Sequence, residues 1–163
     1  MLTDFYGNHL TTSTGLARDS YDIGLRAFLS ANYGAQEAFS QAIEADPNFA
    51  LAYLGLARAF MSSGQVAEAK TALGKAKNLL KEATSREKSH FLCCELLLSG
   101  EVKKARTAVH RHVSEWPRDA MVAQMSTSVF GLIGFSGELG REIDLLEYTE
   151  GLLPHYGEDW WMM

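Results

Sequence analysis

Apolar and small residues recur along this chain at helical spacing, in pairs of segments separated by glycine turns. From Ala50, the positions Tyr53, Leu56, Ala57 and Phe60 make a 3.6-period stripe, and Ala69, Leu73 and Ala76 make a second one after Gly64. Two amphipathic helices joined by a tight turn are the prediction. Small Ala57, Ala69 and Ala76 let the helices approach, the large side chains fill the space beside them, and Gly64 ends the first helix. The stripe predicts that Phe60 is buried and that Arg58, on another face, is not.

The pair repeats. "SGQVAEA" begins at Ser63, "SGEVKKA" at Ser99 and a looser "SGELGRE" at Ser136, spacings of 36 and 37 residues. Pro47, Pro117 and Pro154 lie 70 and 37 apart, as if each closed a unit. Repeats of this length stack into solenoids, because each pair buries its apolar face on the next. A third unit carries Leu92, Cys93, Leu96, Gly100, Ala105, Val109 and His112, opened by Thr84-Ser85-Arg86-Glu87, a capping-box pattern. A first unit has Tyr21, Leu25, Phe28, Ala35, Phe39 and Ala42 around a shortened Asn-Tyr-Gly turn. An irregular fourth has Phe130, Ile133, Gly137 and Leu146. Asp46 and Asp119 read as helix N-caps.

The large–Leu–small–aromatic–Gly–Ala–large–Ala series of Tyr53 to Ala76 resembles the tetratricopeptide repeat. The expected fold is therefore an all-α solenoid of about four helix pairs plus the start of a fifth. Its layout is an N-terminal extension at 1–13, units at 14–49, 50–85, 86–119 and 120–154, and a truncated repeat at 155–163. Trp160 falls where such repeats place a Trp, so the apolar Trp160–Met163 ending reads as a repeat cut short, within a longer protein. In their order "LTTST", "ARDSYDIGL", "AIEADPNFALAYLGLA", "TSREKSHFLCCELLLSGEVKKA" and "YGEDWW" resemble the N-terminal part of the tetratricopeptide-repeat-thirty-eight-like family. That resemblance implies a helical solenoid and supplies no catalytic residue, cofactor or ligand.

Composition excludes several classes. Hydrophobic residues are 47% of the 163 and charged residues 21%, the balance of a folded globule. No apolar run approaches the ~20 residues of a membrane helix. No signal-peptide pattern follows Met1, and adjacent Cys93 and Cys94 suit reduced thiols, which together predict a cytoplasmic protein. The net charge of −5 conceals a gradient: residues 65–118 are basic and residues 119–163 acidic. Lys103, Lys104, Arg106, His110 and Arg111 form a basic helix, but without interleaved aromatics they do not predict nucleic-acid binding.

Candidate chemistry is sparse. Glu87, His90 and Cys94 share a helical face, yet three ligands fall short of a structural zinc site, so no metal is predicted. No nucleophile elbow, phosphate loop or His-Glu-x-x-His motif occurs, so neither enzyme activity nor a cofactor is expected. The favoured function is a protein- or peptide-binding scaffold. Its concave face, formed by the first helix of each pair, should present Asp22, Arg26, Leu54, Arg58, His90, Cys94, Leu97 and Gln124. The alternative is the supporting region of a larger enzyme whose site lies in further C-terminal repeats. The apolar tail and the leucines before it predict contact between two copies.

Overall fold

The structure is a computed structural model and describes residues 2–162. It forms helices α1 (Gly15–Leu29), α2 (Ala35–Ala45), α3 (Ala50–Ser62), α4 (Val66–Leu79), α5 (Ser85–Leu98), α6 (Val102–Glu115), α7 (Ala120–Ala123) and α8 (Arg141–Tyr156). Among the described residues the only β pairing is an isolated bridge between Thr3 and His9. This is an all-α array of tetratricopeptide type. Helices pair α1 with α2, α3 with α4 and α5 with α6, and the first helices α1, α3, α5 and α7 lie side by side.

The turns show why the sequence stops where it does. After α3, Gly64 (φ +76°) donates to Met61 O and Gln65 N to Phe60 O; after α5, Gly100 (φ +73°) and Glu101 repeat the pattern on Leu97 and Leu96. Both are Schellman ends, in which glycine accepts the left-handed conformation without a Cβ penalty. After α1 the same two bonds form through Ala31 and Asn32, with Ala31 at φ +54°. Thr84 and Glu87 make the expected capping box. Asp46 does not cap α3, whose N-cap is Phe49; its carboxylate instead accepts from Asn48 N and Thr12 Oγ1. Asp119 precedes α7, but its side chain caps nothing and turns inward.

Phe39 of α2, fully buried, closes the first three helices. Its ring meets that of Tyr21 at a tilt and lies directly over Gly24 of α1 and Gly55 of α3. The second pair is more open than its stripe predicts. Phe60 is half-buried, and with Tyr53 and Leu56 it lines a groove of about 350 Å³ against Ala72 of α4.

The fourth unit departs most from expectation. Its first helix is the single turn α7, and residues 124–140 run as successive turns. Gly131 and Gly134 pack on backbone so closely that added Cβ atoms would lie 2.8 Å from Met125 O and 2.5 Å from Val129 O. Leu132 N donates to Met125 O, which closes the tight fold. Pro154 does not close a unit: α8 runs through it to Tyr156 and ends at Gly157 (φ +61°). Residues 157–162 form turns in place of a new helix. Trp161 meets Tyr156 edge-on at 5.2 Å between centroids, and Trp161 and Met162 pack on the chain's own core, leaving Trp160 43% exposed. Met163 of the predicted tail lies outside the described residues.

Candidate functional site

Residues 2–12 lie across the face built by the first helices. Asp4 folds this segment into a turn by accepting from Tyr6 N (3.0 Å) and Asn8 N (2.8 Å), which drives Tyr6 and, beyond it, Leu10 into the core. Side chains of the array then take hold of its backbone. Asp22 Oδ1 accepts from Phe5 N at 2.9 Å, Glu87 Oε1 from Thr11 N at 3.1 Å, Arg86 Nη2 donates to His9 O at 3.0 Å, and Arg118 Nε donates to Tyr6 O at 2.7 Å. The Arg118 guanidinium also stands 5.7 Å from the ring centroids of both Tyr6 and Tyr156.

Beneath the segment lies a cluster that sequence reading missed. Asp119 Oδ2 accepts from Arg86 Nη1 at 2.5 Å and meets His90 Nδ1 at 3.1 Å and His112 Nε2 at 3.2 Å, all buried. Burial alone would raise the Asp119 carboxyl, but His90 and Arg86 hold it well below the usual carboxylate range. Burial pulls the His90 imidazole down against the opposing pull of Asp119. Ser89 Oγ bonds His112 Nδ1 at 2.9 Å, so serine, histidine and aspartate are in line. They sit inside the packing of α5 and α6, where the backbone N–H groups of the helix are committed to its own ladder and cannot stabilise an oxyanion. The cluster ties α5, α6 and the α6–α7 connection to the N-terminal segment. The one sequence signal for it was a polar residue, His112, at a position where the stripe calls for Ala.

The eight predicted face residues separate into groups. Asp22 and Arg26 meet the N-terminal segment: the Arg26 guanidinium lies 5.1 Å from the Phe5 ring centroid, and burial pushes the Asp22 carboxyl up to about 6. Leu54, His90 and Cys94 are fully buried, so they offer no open surface. Burial also pushes the Cys94 thiol up to about 12, although Arg58 beside it pulls the other way. Leu97 is half-buried against the core. Arg58 and Gln124 come together at 2.7 Å, and Arg58, 7% exposed, is not the solvent-facing residue its register predicts. Glu87, His90 and Cys94 have different partners, and among the described residues no three His, Cys, Asp or Glu side chains are arranged to hold a metal.

A cavity of about 610 Å³ opens at the end of the face away from the N-terminal segment, between the α1–α2 turn, the C-terminal end of α3 and Gln124. Phe28 lines it and carries the Arg58 guanidinium 5.2 Å from its ring centroid.

Comparison with known families agrees with this architecture. Residues 34–83 match the family model described as tetratricopeptide repeat. The match spans α2, α3 and α4, and repeats of this type generally mediate protein–protein interaction. No curated protein and no solved structure matches the chain. Among the described residues no helix is long and apolar enough to cross a membrane.

Proposed function

We propose that this chain is a protein- or peptide-binding scaffold, with no catalytic step of its own, and that the row of first helices is its binding face. The observation that carries this reading is the seating of residues 2–12. A segment folded back on itself at Asp4 lies on that face with Tyr6 and Leu10 as buried anchors, and array side chains bond its backbone at Phe5, Tyr6, His9 and Thr11. Backbone bonding plus apolar anchors is how a protein surface holds peptide of varied sequence. The face therefore has the chemistry for such a ligand, and its unoccupied end adjoins the cavity beside Gln124. Resemblance to the tetratricopeptide-repeat-thirty-eight-like family names no ligand, so the partner is described by chemistry alone.

The test is selection of peptides from a random library on the intact chain, followed by binding to Arg26→Glu and Leu97→Glu variants that keep the wild-type circular dichroism. Selected peptides should weaken by ~10-fold or more on at least one variant. Selection that enriches nothing, or peptides that bind both variants at full strength, would overturn the face.

A further inference from the structure

From an apolar ridge on α8 and an unfilled groove between α3 and α4, we infer that a second copy of this chain is the partner of both: the ridge of one copy seats in the groove of the next. The contact is separate from the binding face and does not depend on the peptide-binding reading.

Helix α8 is apolar on two sides. Tyr148, Leu152 and Tyr156 are buried on the side that meets the core. On the opposite side Ile143 (62% exposed), Leu146 (55%) and Leu153 (42%) follow at helical spacing, and Leu139, fully exposed, stands just before the helix. These four expose on the order of 500 Å2, the size of the largest apolar patch on a typical monomer and a common mark of an interaction site. Glu142, Glu147 and Glu150, exposed on and beside the ridge, widen it toward the ~800 Å2 per partner of a standard interface. The chain's own tail leaves the ridge bare, since Trp161 and Met162 pack on the core instead.

The groove is the complement. Tyr53, Leu56 and Phe60 of α3 are half-buried, and Ala72, Thr71 and Lys75 belong to the facing wall on α4; the lining of this space of about 350 Å³ comes from these two helices alone. Its sign is opposite to that of the ridge. Helix α4 carries Lys70, Lys75 and Lys77 against one acid, Glu68, whereas α8 carries four acids against one arginine, Arg141. Among the described residues Lys70, Lys75, Glu147 and Glu150 make no ion pair within the chain. Lys75 Nζ stands 5.9 Å from the Tyr53 ring centroid at the groove's edge. Leu146 and Leu153 seated in the groove carry Glu150, which lies between them, toward Lys75. Glu68, nearer the start of α4, repels the acids of the ridge and so sets the direction. Opposite charges at such a rim speed encounter and fix register. Ridge and groove are different surfaces, so each docked pair leaves one of each free, and association continues into a ring or a filament.

Sedimentation of the full chain over a range of concentrations up to ~1 mM tests this, with variants checked by circular dichroism. The wild type should gain mass with concentration. Leu146→Glu on the ridge and Thr71→Glu beside the groove, both at exposed positions, should each weaken association by ~10-fold or more. Mixed one to one, the two variants should form a dimer and nothing larger, because one keeps the groove and the other the ridge. Lys75→Glu and Glu150→Lys should each weaken association by ~3-fold or more at low salt, and the chain carrying both should recover it. A wild type that stays monomeric throughout overturns the contact. So does loss of association in Leu146→Glu but not in Thr71→Glu, which would mean that ridge meets ridge, and so does a mixture that remains monomeric. Should either of those two variants fail to fold, the charge exchange decides alone, and no recovery in the doubly exchanged chain overturns the pairing.

Discussion

Replacing Gly55 by alanine tests the packing of the first three helices. In an exposed helix the change should stabilise by ~1 kcal/mol, because alanine restricts the unfolded chain and shields the backbone. Here the new Cβ would lie 2.5 Å from Phe39 Cε1 and 2.7 Å from Cδ1 and Cζ, against ~3.5–4 Å for relaxed carbon contacts. The ring would have to move by about 1 Å. It has little room, since its neighbours include Gly24, where an added Cβ would come within 2.8 Å of the same ring atoms, and Tyr21 at 5.7 Å between centroids. Overpacking of this kind costs ~1–3 kcal/mol, so a net loss of ~1–2 kcal/mol is expected once the helix gain is deducted. Urea unfolding followed by circular dichroism measures it, with Gly74→Ala as the control: nothing lies within 4 Å of that Cβ, and it should stabilise by ~1 kcal/mol. Phe39→Leu should relieve the clash, giving a favourable coupling of ~1 kcal/mol with Gly55→Ala. Stabilisation by Gly55→Ala, or strict additivity with Phe39→Leu, would refute the argument.

Five other outcomes follow from the geometry. Ala31→Gly should raise stability by ~1 kcal/mol in the same assay, because Ala31 holds a left-handed conformation that glycine adopts freely. Arg118→Ala should cost ~1–3 kcal/mol and speed proteolysis within residues 2–12, since it removes the donor to Tyr6 O and the cation between two tyrosine rings; unchanged cleavage would count against the clasp. In native buffer Cys93 and Cys94 should resist a thiol reagent until the chain unfolds, because both are buried with thiols pushed up to about 12. His90, whose folded pKa is lowered, is neutral in the fold, so the unfolded chain takes up its proton first. Stability should therefore fall as pH drops below ~6.5, by up to ~1.4 kcal/mol per unit, and His90→Gln should flatten that part of the curve. Asp119 acts lower: its depressed pKa gives stability that is present above ~3.9 and lost as pH falls toward its folded value.

Local pattern made the helices and their ends legible. Gly64, Gly100 and the Thr84–Glu87 box sit in the sequence as they act in the structure. What stayed hidden was decided by contacts distant in sequence. Arg58, His90 and Cys94 sit on the predicted row, but α7, the cluster at Asp119 and the N-terminal segment close over it, and no periodicity within α3 or α5 records that. Phe60 erred in the opposite sense, because its stripe faces a groove between α3 and α4. The fourth unit keeps helix-like apolar spacing, yet Ser, Thr, Val and Gly crowd residues 126–137, and Gly131 and Gly134 let the backbone fold on itself. Asp119 looked like a cap and became the centre of a buried charge cluster, since Arg86, His90 and His112 lie up to 33 residues earlier in the chain.

The clasp by residues 2–12 also changes how the molecule must fold. Helical repeat arrays usually contact only sequence neighbours, so they can nucleate in any unit and fray from either end. Here Thr11 is bonded to Glu87 across 76 residues, His9 to Arg86 across 77 and Tyr6 to Arg118 across 112. These closures join residues 2–12 to the two ends of the third unit, and their loop entropy is lost before the contacts that reward it can form. Folding should be slower than for a local array of equal length, and unfolding more nearly all-or-none. The earliest residues of the chain are then the last to settle, once α5 and the turn at Arg118 are in place.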